Sequence, residues 1–146
     1  IGPVKAGEIR EVLAARLRRR RLRRAEGPLP PVAELLDVDR EYREKAASGQ
    51  LFKIAPKRFN PSGEAWLPVL HTRRGSRRYT ALFSNTALAH ELGKTHDWVV
   101  LYYGEGREER QATVVTETQG DLAGLRVVRG REQETREYYQ RERAPA

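Results

Sequence analysis

The densest chemistry in this chain is cationic. Lys5, Arg10, Arg16, Arg18, Arg19, Arg20, Arg21, Arg23 and Arg24 stand in the first 24 residues against Glu8 and Glu11, a local net charge of +7. The 146-residue chain carries +8 in all, so residues 25–146 contribute only +1. Cations gathered at that density suit phosphates, because each contact releases condensed counterions from a polyanion. A basic arm on a near-neutral body is expected to dock on nucleic acid. A solvated, self-repelling tail is the plainer alternative. Against it, Ile9, Val12, Leu13 and Leu17 keep an apolar stripe at helical spacing, loosely extended by Leu22.

Two further segments mix cations with aromatic rings. "RRGSRRY" places Arg73, Arg74, Arg77, Arg78 and Tyr79 at one turn. Four like charges there repel one another unless something neutralises them. A second phosphate contact is expected at this turn, a merely solvated loop being the alternative. "FKIAPKRF" groups Phe52, Lys53, Lys57, Arg58 and Phe59. Aromatics can stack on unpaired bases while cations hold the backbone, but Phe52 and Phe59 are read first as core residues.

The histidines are His71, His90 and His96. His90-Glu91 and His96-Asp97, with a carboxylate such as Glu117, could assemble a metal-dependent nuclease, but their spacing matches no zinc signature. Asp97 is expected to end a loop before Trp98 opens a strand. Asp37 and Asp39 cannot converge on one ion if helical, since positions i and i+2 point about 200° apart. Neither a phosphate-cradling glycine loop nor a nucleophile elbow occurs. No catalytic residue, cofactor or resident metal is expected.

The elements that must carry these groups follow from periodicity. Residues 7–24 suit one helix, and "EGPLPP" a stiff linker. A helix over 31–48 follows, with Gly49 as its stop. From residue 51 the period changes to that of strands. "LFKIAP", "AWLPVLHT", "RYTALFS", "DWVVLYY", "QATVVTET" and "LRVVRG" are six candidates, spanning about 51–130. Pro68 should lie at a sheet edge or bulge. "SNTALAHELG" between the third and fourth is a short helix, with Ser84 or Asn85 as cap and Gly93 as terminator. A C-terminal helix over 131–143 closes the chain. The expected fold is α+β: N-terminal helices, then a mainly antiparallel sheet with one inserted helix, then a C-terminal helix. The expected division is an arm over 1–25 and an α+β domain over 26–146.

Composition narrows the class. Hydrophobic residues make up 38% and charged residues 33%, and there is no cysteine, so disulfide scaffolds, zinc knuckles and thiol catalysis are excluded. The run around "WVVLYY" is too short to span a bilayer, and no signal peptide is visible. A cytoplasmic, nucleoid-associated protein with no membrane partner is expected.

The opening "IGPVKAGEI", in the order G-P-x-x-A-x-x-I, resembles the second half of a helix-hairpin-helix motif. Such hairpins bind DNA without sequence specificity and occur at the N-terminus of family X DNA polymerases. Gly2, Pro3, Lys5, Ala6 and Ile9 match. The resemblance implies that amides near Gly2 and the Lys5 ammonium meet a phosphate, as a helix N-terminus favours. The first half of the hairpin is missing, so the chain reads as cut from a longer protein. Residues 31–140 are similar to a bacterial domain found downstream of such hairpins, which implies repair or genome maintenance by context and supplies no catalytic residue. "FSNTALAH" faintly resembles a family X polymerase segment, but no Asp triad accompanies it, so polymerase activity is not expected. The partner implied is DNA in preference to RNA, with an RNA- or protein-interaction domain as the further alternative.

Overall fold

The computed structural model describes residues 29–104 and 109–143. The arm, with Gly2, Lys5, Arg16, Arg18, Arg19, Arg20, Arg21, Arg23 and Arg24, lies outside the described residues. Helix α1 (Val32–Ala47) starts after Pro31, whose φ of −58° leads directly into the first turn. Glu34 in its first turn and Lys45 in its last complement the helix dipole. Val32, Leu35, Leu36, Asp39 and Tyr42 recur on one buried face. The helix ends in a Schellman motif: Gly49 adopts a φ of +72°, and the Gly49 and Gln50 amides donate to Ala46 and Lys45 carbonyls.

The strands are β1 (Phe52–Ile54), β2 (Leu67–Arg74), β3 (Arg77–Phe83), β4 (Val99–Gly104), β5 (Arg110–Thr116) and β6 (Arg126–Val128). They form one antiparallel sheet in sequence order, with α2 (Ala87–Glu91) between β3 and β4 and α3 (Glu132–Arg143) after β6. The fold is α+β, as the sequence patterning implies. Partners in register share a face, so Leu70, Ala81, Leu101 and Ala112 form one inward row. Phe83, Val99, Val114 and Val128 form a second. Helix α1 buries its apolar face on these rows to make the core. Helix α3 closes the β6 end, where buried Thr135 receives the Val128 amide and Tyr139 Oη donates to the Arg126 carbonyl at 2.7 Å.

Pro68 departs from expectation. It lies in β2, an interior strand flanked by β1 and β3. The β2–β3 register runs from Val69↔Leu82 to the turn. Just beyond it, the buried Tyr42 hydroxyl accepts the Phe83 N–H at 2.9 Å and donates to the Pro68 carbonyl at 2.7 Å. A helix hydroxyl thus completes the ladder where proline brings no N–H. Burial pushes the Tyr42 phenol well above its ordinary pKa.

The cap of α2 also differs. Thr86, not Ser84 or Asn85, accepts the Ala89 amide, at 3.1 Å. Ser84 is engaged in the sheet, its amide donating to the Trp98 carbonyl, and Asn85 holds the Arg58 carbonyl. Gly93, with a φ of +68°, ends the helix as expected.

Candidate nucleic-acid interface

Alternation along β2 and β3 divides the four hairpin arginines between the two sheet faces. The turn is two residues long, with Gly75 at a φ of +61°, as the first position of a type II′ turn requires. Arg74 and Arg77 point to the helix side. Arg74 reaches Asp37 at 2.9 Å and Glu41 at 2.7 Å, and Arg77 pairs with Glu34. Glu34 also accepts the Tyr79 hydroxyl, and burial together with that carboxylate raises the Tyr79 phenol. Lys45 and then Arg74 hold the Glu41 carboxyl below its usual range. An acidic stripe on α1 (Glu34, Asp37 and Glu41) therefore neutralises half of the hairpin's charge from within.

Arg73 and Arg78 face the other way and are exposed. They are direct cross-strand partners, and among the described residues neither side chain has an ion pair. Like charges directly opposite each other destabilise a sheet. The fold gains nothing from this pair.

The rest of the outer face is built from the residues that alternate with the core. Val69, Leu82, Val100 and Thr113 form one row, with Phe52 beside Val69. His71, Thr80, Tyr102 and Gln111 form the next, and Arg73 and Arg78 the third. Among the described residues no carboxylate occupies an outward position of a strand. The loop over 55–66 leans on this face from the β1 end. Asn60 Nδ2 donates to the Pro56 and Glu64 carbonyls, and Asn85 Nδ2 to the Arg58 carbonyl. Phe52 and Phe59, read first as core residues, are 79% and 46% exposed. Core space is already filled by α1 against the inner rows; Phe52 falls on the far side of the sheet and Phe59 stays in the 55–66 loop.

The histidine cluster does not assemble. His90 contacts Asn85 Oδ1 at 2.6 Å and packs on the Phe59 ring. His96 instead stands against Trp66 and Phe83. Asp97 is engaged in the fold: partial burial works against its ionisation, yet Thr116 hydrogen bonds and the Arg126 charge hold its carboxyl below the usual range. Glu117 accepts the Thr118 and Gln119 amides. Among the described residues no three His, Asp or Glu side chains group as metal ligands. No helix there is long and apolar enough to cross a membrane.

Two features escaped the sequence reading. Arg129 lies 4.5 Å over the Trp98 ring, and Tyr102 occupies the middle of the outer face. Strand alternation in "WVVLYY" could have separated Tyr102 from Tyr103, but not said which side the helices would cover.

Compared with known protein families, curated proteins and solved structures, the chain matches none.

Proposed function

We propose that the protein is a DNA-binding module that grips the phosphate backbone without sequence specificity, in repair or genome maintenance. The carrying observation is the Arg73–Arg78 pair, two exposed like charges opposite each other that the fold does not use. The basic arm and its hairpin-like opening support the same reading, with Gly2, Lys5 and the Arg16–Arg24 cations as primary contacts. Arg74 and Arg77, committed to α1 carboxylates, are left out of the interface.

Replacing Arg73 and Arg78 together by alanine is expected to weaken duplex binding about tenfold at low salt and to reduce the salt slope by about 2. The urea midpoint should hold or rise. Arg77→Ala should do the opposite, lowering stability by about 1–3 kcal/mol because both partners of its ion pair with Glu34 are only 22% exposed, and sparing affinity. Gel shift and urea titration of the variants make the comparison. Unchanged affinity of the Arg73/Arg78 variant would remove the hairpin from the interface. Labelled DNA incubated with Mg²⁺ or Mn²⁺ should be bound and left intact. Metal-dependent cleavage would instead reveal a nuclease, and preference for structured RNA an RNA-binding domain.

A further inference from the structure

We infer that the outer sheet face receives the unpaired bases of a single-stranded nucleic acid, in a groove between the 56–58 segment and Tyr102. This rests on the reading of the chain as a nucleic-acid binder and adds a second kind of site to its phosphate contacts.

The groove has a volume of about 330 Å³ and is lined by Pro56, Lys57, Arg58, Leu82, Val100 and Tyr102, among others. That is the low end of the range for small-ligand clefts, suited to one nucleotide unit. Its floor is apolar and aromatic and its rim is cationic. A solvated antiparallel face normally carries polar residues at outward positions. Here Val69, Leu82 and Val100 occupy them, half-exposed, with Phe52 fully outward at the end of their row.

Phe59 adds an independent observation. It is the only described non-glycine residue with a positive φ, +53°, a strained conformation for a bulky side chain. The loop holds that ring half-exposed one residue beyond the groove's lining, with the His90 ring packed on it at 4.7 Å and the Arg58 guanidinium 5.2 Å from its centre. Strain retained to present an aromatic ring beside a cation has no counterpart in the core, since Phe59 is not part of it.

Charge selects the occupant. Lys57 and Arg58 line the groove, Arg73 and Arg78 lie further along the same sheet face, and among the described residues no carboxylate stands at an outward strand position. A second copy would bring the same cations face to face, and the chain's own arm carries +7. A polyanion with exposed planar rings fits both the rim and the floor. Bases stacked on aromatics with phosphates held by cations are the recurring arrangement for single strands. A paired duplex, its bases already stacked, offers the groove nothing.

The test uses the intact chain with labelled oligo(dT), oligo(rU) and a duplex of equal length, read by fluorescence anisotropy. Tyr102→Ala and Phe59→Ala are each expected to lower affinity for the single strands by about 5- to 100-fold. Tyr102→Phe should bind like the parent, and duplex affinity should change less than twofold in every variant. Circular dichroism checks folding. If Tyr102→Ala does not fold, the exposed Phe59→Ala variant decides, together with photocross-linking of iododeoxyuridine oligo(dT), whose adducts should map to residues 56–59 or 102. Oligo(dT) is expected to bind more tightly than oligo(rU), in keeping with the proposed DNA binding; tighter binding of oligo(rU) would overturn DNA as the occupant. Single-strand affinities untouched by both substitutions, with adducts elsewhere, would overturn the inference while duplex binding left the phosphate reading standing. Absence of binding to all three would end both.

Discussion

Deleting residues 1–24 is expected to lower affinity for duplex DNA by several decades at low salt. The segment holds nine Lys/Arg residues against two glutamates, whereas residues 25–146 contribute only +1. Each phosphate neutralised contributes about 0.9 to the salt slope, so losing most of these cations should flatten the dependence along with the affinity. The remaining chain should still fold. Its core is made by α1, the sheet and α3, all within residues 32–143. Residual single-strand binding should survive better than duplex binding, because stacking on Tyr102 and Phe59 does not involve the arm. Gel shift and circular dichroism of the truncated chain beside the parent test this. Equal duplex affinity would make the arm a solvated tail. An unfolded product would make the segment part of the core.

Asp39→Ala should be the most damaging single substitution in the body, costing about 3–5 kcal/mol. Asp39 is fully buried and Arg126 only 12% exposed. The carboxylate receives Arg126 Nη2 at 2.7 Å, Arg126 Nε at 3.2 Å and Arg43 Nε at 2.9 Å. Arg126 in turn reaches the Thr116 hydroxyl and the Val114 carbonyl, so one guanidinium joins α1 to β5 and β6. Removing the carboxylate leaves a nearly buried cation with only Asp97, 3.3 Å away, to offset it. Replacing both partners, Asp39→Leu with Arg126→Met, should recover most of the loss, since apolar packing substitutes well for a buried pair. Urea midpoints of the single and double variants measure the difference. A single-variant loss below about 1 kcal/mol would show that the pair is solvated and ordinary.

Much of this architecture is legible locally. The apolar residues Leu35, Leu36, Val38 and Tyr42, between Pro31 and Gly49, read as α1, and the change of period after Gly49 reads as a sheet. The six apolar runs correspond to the six strands, and Gly75 marks the hairpin. What was not legible depends on partners far along the chain. Nothing near Pro68 announces that a hydroxyl from Tyr42, 26 residues away, will bridge its strand to the next. "SNT" offers three capping residues in a row, and only the sheet bond of Ser84 and the loop bond of Asn85 leave Thr86 for the helix.

The candidate site divides in the same way. Strand alternation alone separates Arg73 and Arg78 from Arg74 and Arg77, yet choosing the outward pair needs the acidic stripe on α1. Phe52 and Phe59 look like core residues by type. Their exposure follows from which face the two helices cover, a tertiary choice that composition does not encode. The same choice leaves Tyr102 partly exposed and Tyr103 buried.

Phosphate-backbone binding is tested most directly by the salt dependence of the intact chain on a random-sequence duplex. The logarithm of the binding constant should fall linearly with the logarithm of salt concentration, with a slope steeper than about −4. Scrambling the duplex should change affinity by less than about a hundredfold. A flat salt response, or no binding at low salt, would contradict the account.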